Sequence, residues 1–272
     1  MADHPVFDPD LYRGTARYYD EFRLRYPSEL IDELCHRVAV TGTGRLLDLA
    51  CGPGTATFAL CDRFADVWAV DQEAEAVELG ARKADELGVG NIRWIVGRAE
   101  DVDPSEVFEL VTIGTAFHRL HRVRIAELAM EWLPPGGHLA LLWSSTPLNG
   151  TAGWQLAFTE IVVDWMERLG AIGRVPSDLI EHLTDVPNQE VLARAGFEPV
   201  ERFEVARPHR WTVDELIGFV YSTSLLPRPV LGDQADAFEA DVVERLRARD
   251  LAAPYREDAT FACDLARRPP AA

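Results

Sequence analysis

The fold of this 272-residue chain is indicated most clearly by the segment Leu46-Leu47-Asp48-Leu49-Ala50-Cys51-Gly52-Pro53-Gly54. An apolar run that ends in a glycine turn is typical of the first strand and turn of an α/β sheet. A second apolar run, Val67-Trp68-Ala69-Val70, ends at Asp71. Open parallel sheets bind nucleotides and nucleosides at the carboxyl ends of their strands. The two runs therefore predict a nucleoside site beside the glycine turn.

The same turn, with an acid about 20 residues later, also fits a dinucleotide-binding sheet. A pyrophosphate-binding G-x-G-x-x-G turn has its third glycine where this chain has Thr57. Pro53 has no N–H to offer a phosphate, and the carboxylate of Asp48 would repel one. A positively charged nucleoside ligand is favoured. An NAD-dependent oxidoreductase stays open as an alternative.

Further motifs follow at regular spacing. Asp71 is followed by a predicted third strand over Ile92–Val96 and a fourth over Phe108–Ile113, and Leu133-Pro134-Pro135-Gly136-Gly137 precedes a fifth. In order and spacing these motifs resemble the class I S-adenosylmethionine-dependent methyltransferases. The resemblance implies S-adenosylmethionine as methyl donor and S-adenosylhomocysteine as product. It also implies a Rossmann-like, doubly wound α/β fold with seven mostly parallel strands, an antiparallel last strand and helical lid insertions.

The resemblance also assigns roles to residues. Asp71 is expected to bind the ribose hydroxyls. Arg23 lies in a segment similar to the Y-x-x-Y-R-P-x-Y-P motif of a natural-product subgroup, which implies contact with the methionine carboxylate. The expected cofactor-binding residues are Tyr18, Arg23, Asp48, Ala50, Gly52, Gly54, Asp71, Gln72, Ala99, Glu100 and Thr115.

His118 follows the fourth strand, at the rim where a methyl acceptor must approach. With an ordinary pKa near 6.5, a histidine there is a candidate general base. Packing against the cofactor is the alternative. The residues expected to contact the acceptor are Tyr19, Phe117, Trp154, Glu160 and Asp164. The spacing of cysteine, histidine and carboxylate residues predicts no metal site.

Charge bears on the acceptor. The formal net charge is −18, with 45 acidic and 27 basic residues. Nucleic-acid binding needs a basic surface, so a nucleic-acid acceptor is not expected. An acidic cleft would concentrate a cationic small molecule. Solubility alone is the other explanation of the acidity.

The chain is predicted to form one domain with insertions. Residues 1–43 are expected to form a helical segment over the cofactor and 44–145 the cofactor-binding core. Residues 146–186 are expected to form a helical lid, and 187–272 the end of the sheet with a second helical insertion. The chain begins without a basic, apolar leader and has no run long enough to span a membrane, which predicts a cytoplasmic protein.

The first functional hypothesis is N-methylation of an aminoglycoside amino sugar in antibiotic biosynthesis. Its basis is the net charge, the natural-product resemblance and the lid acids Glu160, Asp164, Asp178, Glu181 and Asp185. An O-methyltransferase acting on a sugar hydroxyl, phenol or carboxylic acid is the alternative. A protein that binds the cofactor without catalysis is a third hypothesis. The oligomeric state is left open.

Overall fold

A computed structural model describes residues 10–103, 106–174, 183, 186–249 and 254–271. Its centre is a seven-stranded sheet in the order β3-β2-β1-β4-β5-β7-β6, in which only β7 runs antiparallel to its neighbours. This confirms the predicted Rossmann-like fold. The strands are β1 (Arg45–Leu49), β2 (Asp66–Asp71), β3 (Ile92–Val96), β4 (Leu110–Gly114), β5 (His138–Ser144), β6 (Glu201–Trp211) and β7 (Tyr255–Arg267).

Helices connect the strands and cover both faces of the sheet. Local signals set several of their ends: Pro27 precedes α2, Gly88 ends α4 in the left-handed conformation, and Thr212 caps α8 by accepting a hydrogen bond from the Glu215 N–H. The helices are α1 (Ala16–Phe22), α2 (Ser28–Val38), α3 (Thr55–Leu60), α4 (Ala74–Leu87), α5 (Arg122–Trp132), α6 (Gly153–Arg168), α7 (Asn188–Ala195), α8 (Val213–Tyr221), α9 (Arg228–Leu231) and α10 (Ala235–Ala248).

The point where the strand order reverses lies at β1. This strand pairs in parallel with β2 on one side and with β4 on the other. The connections that leave the carboxyl ends of β1 and β4 therefore run in opposite directions, to β2 and β5, and open a crevice between them. Ala50, Asp71 and Thr115 follow or end the three strands at that edge. The site predicted from the opening motif thus lies where the topology forms a crevice.

The late helices form a second apolar core beside the sheet. Buried residues of α6, α8 and α10 pack together, with Trp165 edge-on to Phe238. The indole N–H of Trp165 donates to Asp241 over 2.8 Å. The two predicted insertions therefore pack against each other. Among the described residues, α6 contributes none of those that line the crevice, so its predicted role as a lid is not supported there.

The N-terminal segment is attached to the sheet domain by a salt bridge. Lys83 on α4 is the single lysine of the sequence, and its Nζ lies 2.6 Å from a carboxylate oxygen of Asp20 on α1. The same ammonium lies 5.2 Å from the ring centre of Phe58. Asp20 also accepts a hydrogen bond from Arg25. These contacts tie α1 to α4, with Tyr19 of α1 beside Thr115 at the carboxyl edge of the sheet.

Within the described residues, none of the helices combines the length and apolar character that crossing a bilayer requires.

Candidate active site

The glycine turn between β1 and α3 has an unusual backbone. Ala50, Gly52 and Gly54 have φ of 51°, 55° and 95°, the left-handed region that favours glycine. A Cβ at residue 54 would also lie 2.7 Å from the ring of Trp94. Conformation and space therefore both require glycine at position 54. The left-handed alanine at position 50 is the strained exception, and it lines the crevice.

The turn is fixed to the end of β2 through Asp71. The carboxylate of Asp71 accepts the backbone N–H of Gly52 over 2.7 Å and that of Glu73 over 2.9 Å. Burial raises the pKa of Asp71 above its usual value, while these N–H groups act in the opposite direction. An ionised carboxylate retains acceptor capacity beyond two hydrogen bonds. Asp71 is therefore a rigid acceptor on the wall of the crevice.

Asp48 has a different environment from the one expected of a ligand-binding residue. It is fully buried within β1 and does not line the crevice. Its carboxylate accepts hydrogen bonds from the hydroxyls of Thr57 at 2.5 Å and Thr112 at 2.8 Å. Burial raises its pKa to about 6 against the effect of these hydroxyls. Thr57, which occupies the position of a dinucleotide motif's third glycine, is thus a partner of Asp48.

The two tyrosines of α1 lie in different surroundings from those expected. The hydroxyl of Tyr19 lies 3.1 Å from that of Thr115, which follows β4 with a φ of 51°, and both residues line the crevice. Tyr18 instead packs edge-on to Tyr221 in the second core, and it does not line the crevice. The structure thus separates Tyr18 from the predicted cofactor site and brings Tyr19, predicted to contact the acceptor, to the carboxyl end of β4.

Arg23 lies behind Tyr19. Its guanidinium carbon is 4.8 Å from the Tyr19 ring centre and 4.5 Å from that of Phe219, and its Nε donates to the Ser222 hydroxyl over 2.8 Å. Arg23 is not among the residues that form the crevice wall. Its expected contact with a methionine carboxylate is therefore not visible in this arrangement.

The crevice is a cavity of about 690 Å³ that brings most of the expected cofactor residues together. A cavity of this volume can enclose a small-molecule ligand. Glu100 lies in the wall and accepts the backbone N–H of His121. Ala99 lies beside it and Gln72 follows Asp71. The wall residues predicted from the sequence are Ala50, Gly52, Asp71, Gln72, Ala99, Glu100, Thr115 and Tyr19. Those the sequence analysis missed include Leu11, Tyr12, Thr15, Ala16, Glu73, Glu75, Arg98 and Arg119.

His118 does not meet the requirements of a general base. Its ring stacks on that of Trp143, with the ring centres 6.1 Å apart, and it is absent from the crevice wall. Burial, with the charges of Arg119 and Arg122, lowers the pKa of His118 to about 4. A base with this pKa takes up protons poorly near neutrality. The structure favours the alternative, in which His118 is a packing residue.

Four of the five residues expected to contact an acceptor are also separated from the crevice. Phe117 is fully buried in the core under the sheet, and Trp154 stacks on Tyr255. Glu160 pairs with Arg245 and Arg249, and Asp164 pairs with Arg245. These pairs join α6 to α10 and its end. The remaining lid acids, at positions 178, 181 and 185, lie outside the described residues.

The described residues contain no group of three or more histidine, cysteine or carboxylate side chains arranged to hold a metal ion.

Comparison with known proteins agrees with this geometry. Residues 46–137 match the model of a methyltransferase domain family, a range that runs from β1 to the start of β5. An uncharacterized methyltransferase of Mycobacterium tuberculosis is 29% identical over 220 residues, which are 80% of this chain and 78% of that protein. An uncharacterized RNA methyltransferase of Halalkalibacterium halodurans is 32% identical over 93 residues. That match covers 34% of this chain and 20% of the relative, so the chain spans about one fifth of that protein.

Solved structures share the fold. A candidate type II methyltransferase from Anaeromyxobacter dehalogenans has a TM-score of 0.60 at 19% identity, covering 92% of this chain and 100% of that one. The [4+2]-cyclase SpnF has a TM-score of 0.51 at 16% identity, covering 100% of this chain and 89% of that one. At such identities the likeness concerns the fold alone, and one fold hosts different reactions.

The domain match and the strand order together indicate a methyltransferase domain within a Rossmann-like sheet. Residues 46–137 are a methyltransferase domain whose methyl donor is S-adenosylmethionine. The residues present fit that ligand. The carboxylates of Asp71, Glu73, Glu75 and Glu100 line the crevice, which suits a nucleoside that carries positive charge.

Proposed function

We propose that the chain transfers a methyl group from S-adenosylmethionine to a small-molecule acceptor that enters the crevice beside Thr115. The observation that carries this proposal is the convergence of the glycine turn, Asp71 and Thr115 on one cavity at the reversal point of the sheet. Tyr19 borders the cavity from α1. The methyltransferase domain match covers the same strands.

Several residues in and behind the wall have a proposed role. Asp71 accepts hydrogen bonds from the ribose hydroxyls, because its carboxylate is held in the wall by two backbone N–H groups. Ala99 and Glu100 border the adenine side. The backbone of Ala50 and Gly52 faces the amino-acid part of the donor, and Thr115 with Tyr19 borders the methyl group. Asp48 acts indirectly, by joining β1 to α3 and β4 through Thr57 and Thr112.

When bound, S-adenosylmethionine supplies a methyl group that leaves positively charged sulfur as the acceptor's electron pair attacks. The chain then has to orient the acceptor and exclude water, and such positioning contributes up to about 7–11 kcal/mol in favourable systems. His118 is a poor base at neutral pH and lies off the wall. The acceptor atom should therefore arrive already nucleophilic, as a carboxylate, an ionised phenol or a neutral amine does.

A small molecule is the preferred acceptor class for two reasons. The net charge of −18 opposes binding of a polyanion. The match to the RNA methyltransferase relative is confined to 93 residues. The hypothesis of an aminoglycoside amine now rests on net charge and the natural-product resemblance alone, because Glu160 and Asp164 are paired with Arg245. Transfer to oxygen is the second hypothesis.

Titration calorimetry with S-adenosylmethionine and S-adenosylhomocysteine tests the donor site. Asp71→Asn provides the site variant. We expect it to lower affinity for both ligands, because an amide replaces the anionic acceptor. Asp62→Asn is the matched control, since Asp62 is exposed on the turn after α3. Failure of the wild-type protein to bind either ligand would refute the proposal.

Catalysis is tested separately with methyl-labelled donor and a panel of small carboxylates, phenols, amines and amino sugars. Transfer of label to any of them supports a methyltransferase and identifies the acceptor atom. Donor binding without transfer to any acceptor would instead support the third hypothesis, a protein that binds the cofactor without catalysis. Tight nicotinamide-dinucleotide binding without affinity for S-adenosylmethionine would revive the oxidoreductase alternative.

A further inference from the structure

A basic cluster adjoins the methyl end of the crevice. It consists of Arg119, which lines the crevice four residues after Thr115, with Arg23 and Arg174. The three guanidinium groups come from separate segments of the chain and converge on the buried turn Ser222–Ser224 between α8 and α9.

Contacts within the cluster fix the guanidinium groups in place. Arg119 donates to the Ser224 hydroxyl over 2.9 Å, and its guanidinium carbon lies 4.6 Å from the ring centre of Tyr12. Arg174 donates to the backbone oxygens of Ser224 over 3.0 Å and Leu11 over 3.3 Å. Tyr12 and Leu11 both line the crevice. Stacking and hydrogen bonding therefore hold the positive charges at its edge.

Two members of the cluster, Arg23 and Arg174, have partners of a different kind from those of most arginines in the chain. The sequence has 45 acidic residues, and most surface arginines of the described parts pair with one of them. Among the described residues, neither Arg23 nor Arg174 has a carboxylate within salt-bridge distance; each donates to hydroxyl or backbone oxygens. A guanidinium has five N–H donors, so both retain donors for a further acceptor.

A structural role in fixing the Ser222–Ser224 turn explains some of these hydrogen bonds. It does not explain why three arginines converge on one turn beside the crevice in a protein with a large excess of acids. A guanidinium group matches the oxygens of a carboxylate or phosphate in shape and charge. We infer that Arg119, supported by Arg23 and Arg174, binds an anionic group, a carboxylate or a phosphate, on the methyl acceptor. This inference rests on the proposed function and replaces the cationic acceptor expected from net charge.

Small anions test the subsite without knowledge of the acceptor. The full-length protein is first saturated with S-adenosylhomocysteine, and that titration is scored by itself. Benzoate, phenyl phosphate, benzamide and benzylamine are then titrated by calorimetry. We expect benzoate or phenyl phosphate to bind at least tenfold more tightly than benzamide and benzylamine. The stronger of the two anions distinguishes a carboxylate from a phosphate site.

Arg119→Met is expected to abolish the preference for anions, and Arg119→Lys to retain part of it, while both bind S-adenosylhomocysteine. Arg124→Met, which removes the same charge from the exposed surface of α5, should leave the preference unchanged. If Arg119→Met does not fold, the preference for anions is measured in Arg174→Met and Arg119→Lys instead. Equal binding of all four compounds, or tighter binding of benzylamine, would overturn the inference. Absence of S-adenosylhomocysteine binding would instead refute the proposed function.

Discussion

Replacement of Asp48 by asparagine should make the protein more stable at neutral pH. The carboxyl group ionises with a pKa of 3.8 when solvated, and its burial in β1 raises the pKa to about 6. Each unit of difference between the folded and unfolded pKa corresponds to about 1.4 kcal/mol. Holding the ionised form inside the folded protein therefore costs about 3 kcal/mol. An asparagine avoids this cost and can still exchange hydrogen bonds with Thr57 and Thr112.

The direction of the pH dependence follows from the two pKa values. Between pH 3.8 and about 6 the folded state binds more protons at Asp48 than the unfolded state does. The unfolding free energy contributed by this group therefore falls as pH rises through that range, and the loss is complete above the folded pKa. Asp48→Asn should exceed the wild type by about 3 kcal/mol at pH 8 and by about 2 kcal/mol at pH 5.5.

Urea unfolding followed by tryptophan fluorescence measures the difference at pH 8, 7 and 5.5, all above the sequence pI of about 4.8. Asp264→Asn serves as a matched control, because Asp264 is also buried but accepts hydrogen bonds from Arg202 and Trp143. It should lower stability by leaving Arg202 without its charged partner. Lower stability of Asp48→Asn at pH 8 would contradict this expectation and would mean that the hydrogen bonds from the two threonine hydroxyls outweigh the cost of burying the charge.

Three further changes test the packing and the site. Gly80→Ala should reduce the unfolding free energy by about 1–3 kcal/mol, measured by urea unfolding, because the added Cβ would lie 2.3 Å from the ring of Trp94. This clash should outweigh the higher helix propensity of alanine. A gain in stability would contradict this expectation. Tyr19→Phe should weaken S-adenosylhomocysteine binding about two- to tenfold in calorimetry by removing the hydrogen bond to Thr115, and unchanged affinity would separate that bond from the site. His118→Phe should change kcat less than about threefold across pH 6–8. A loss of about 100-fold would instead support His118 as the general base.

The sheet and the donor side of the crevice could be predicted because short segments encode them. The run from Leu46 to Gly54 contains most of strand β1 and the strained turn, and α3 begins at the next residue. Asp71 and Thr115 end or follow neighbouring strands, so the parallel topology brings them together without any further information. Sequence spacing is sufficient where the site is built at one edge of one sheet.

The acceptor side could not be predicted, because its residues come from distant parts of the chain. Arg119 and Ser224 are 105 positions apart, and Arg174 and Leu11 are 163 apart. The direction of α6 is equally hidden from its sequence. Its helical pattern predicts a polar face. The pattern cannot show that Glu160 and Asp164 on this face pair with Arg245 and lie away from the crevice. Pairing between two insertions depends on tertiary packing.

The salt bridge between Lys83 and Asp20 makes this chain suited to chemical footprinting. Because Lys83 is the single lysine, its ε-amine is the one side-chain amine that an acylating reagent can modify. Its side chain is 28% exposed while paired, and Asp20 adjoins Tyr19 on α1. A faster rate of acylation would therefore indicate that Lys83 has separated from Asp20 and that α1 has moved away from α4. Mass spectrometry of the one peptide that contains Lys83 can therefore follow separation of α1 from α4 in the wild-type protein, without introduced labels.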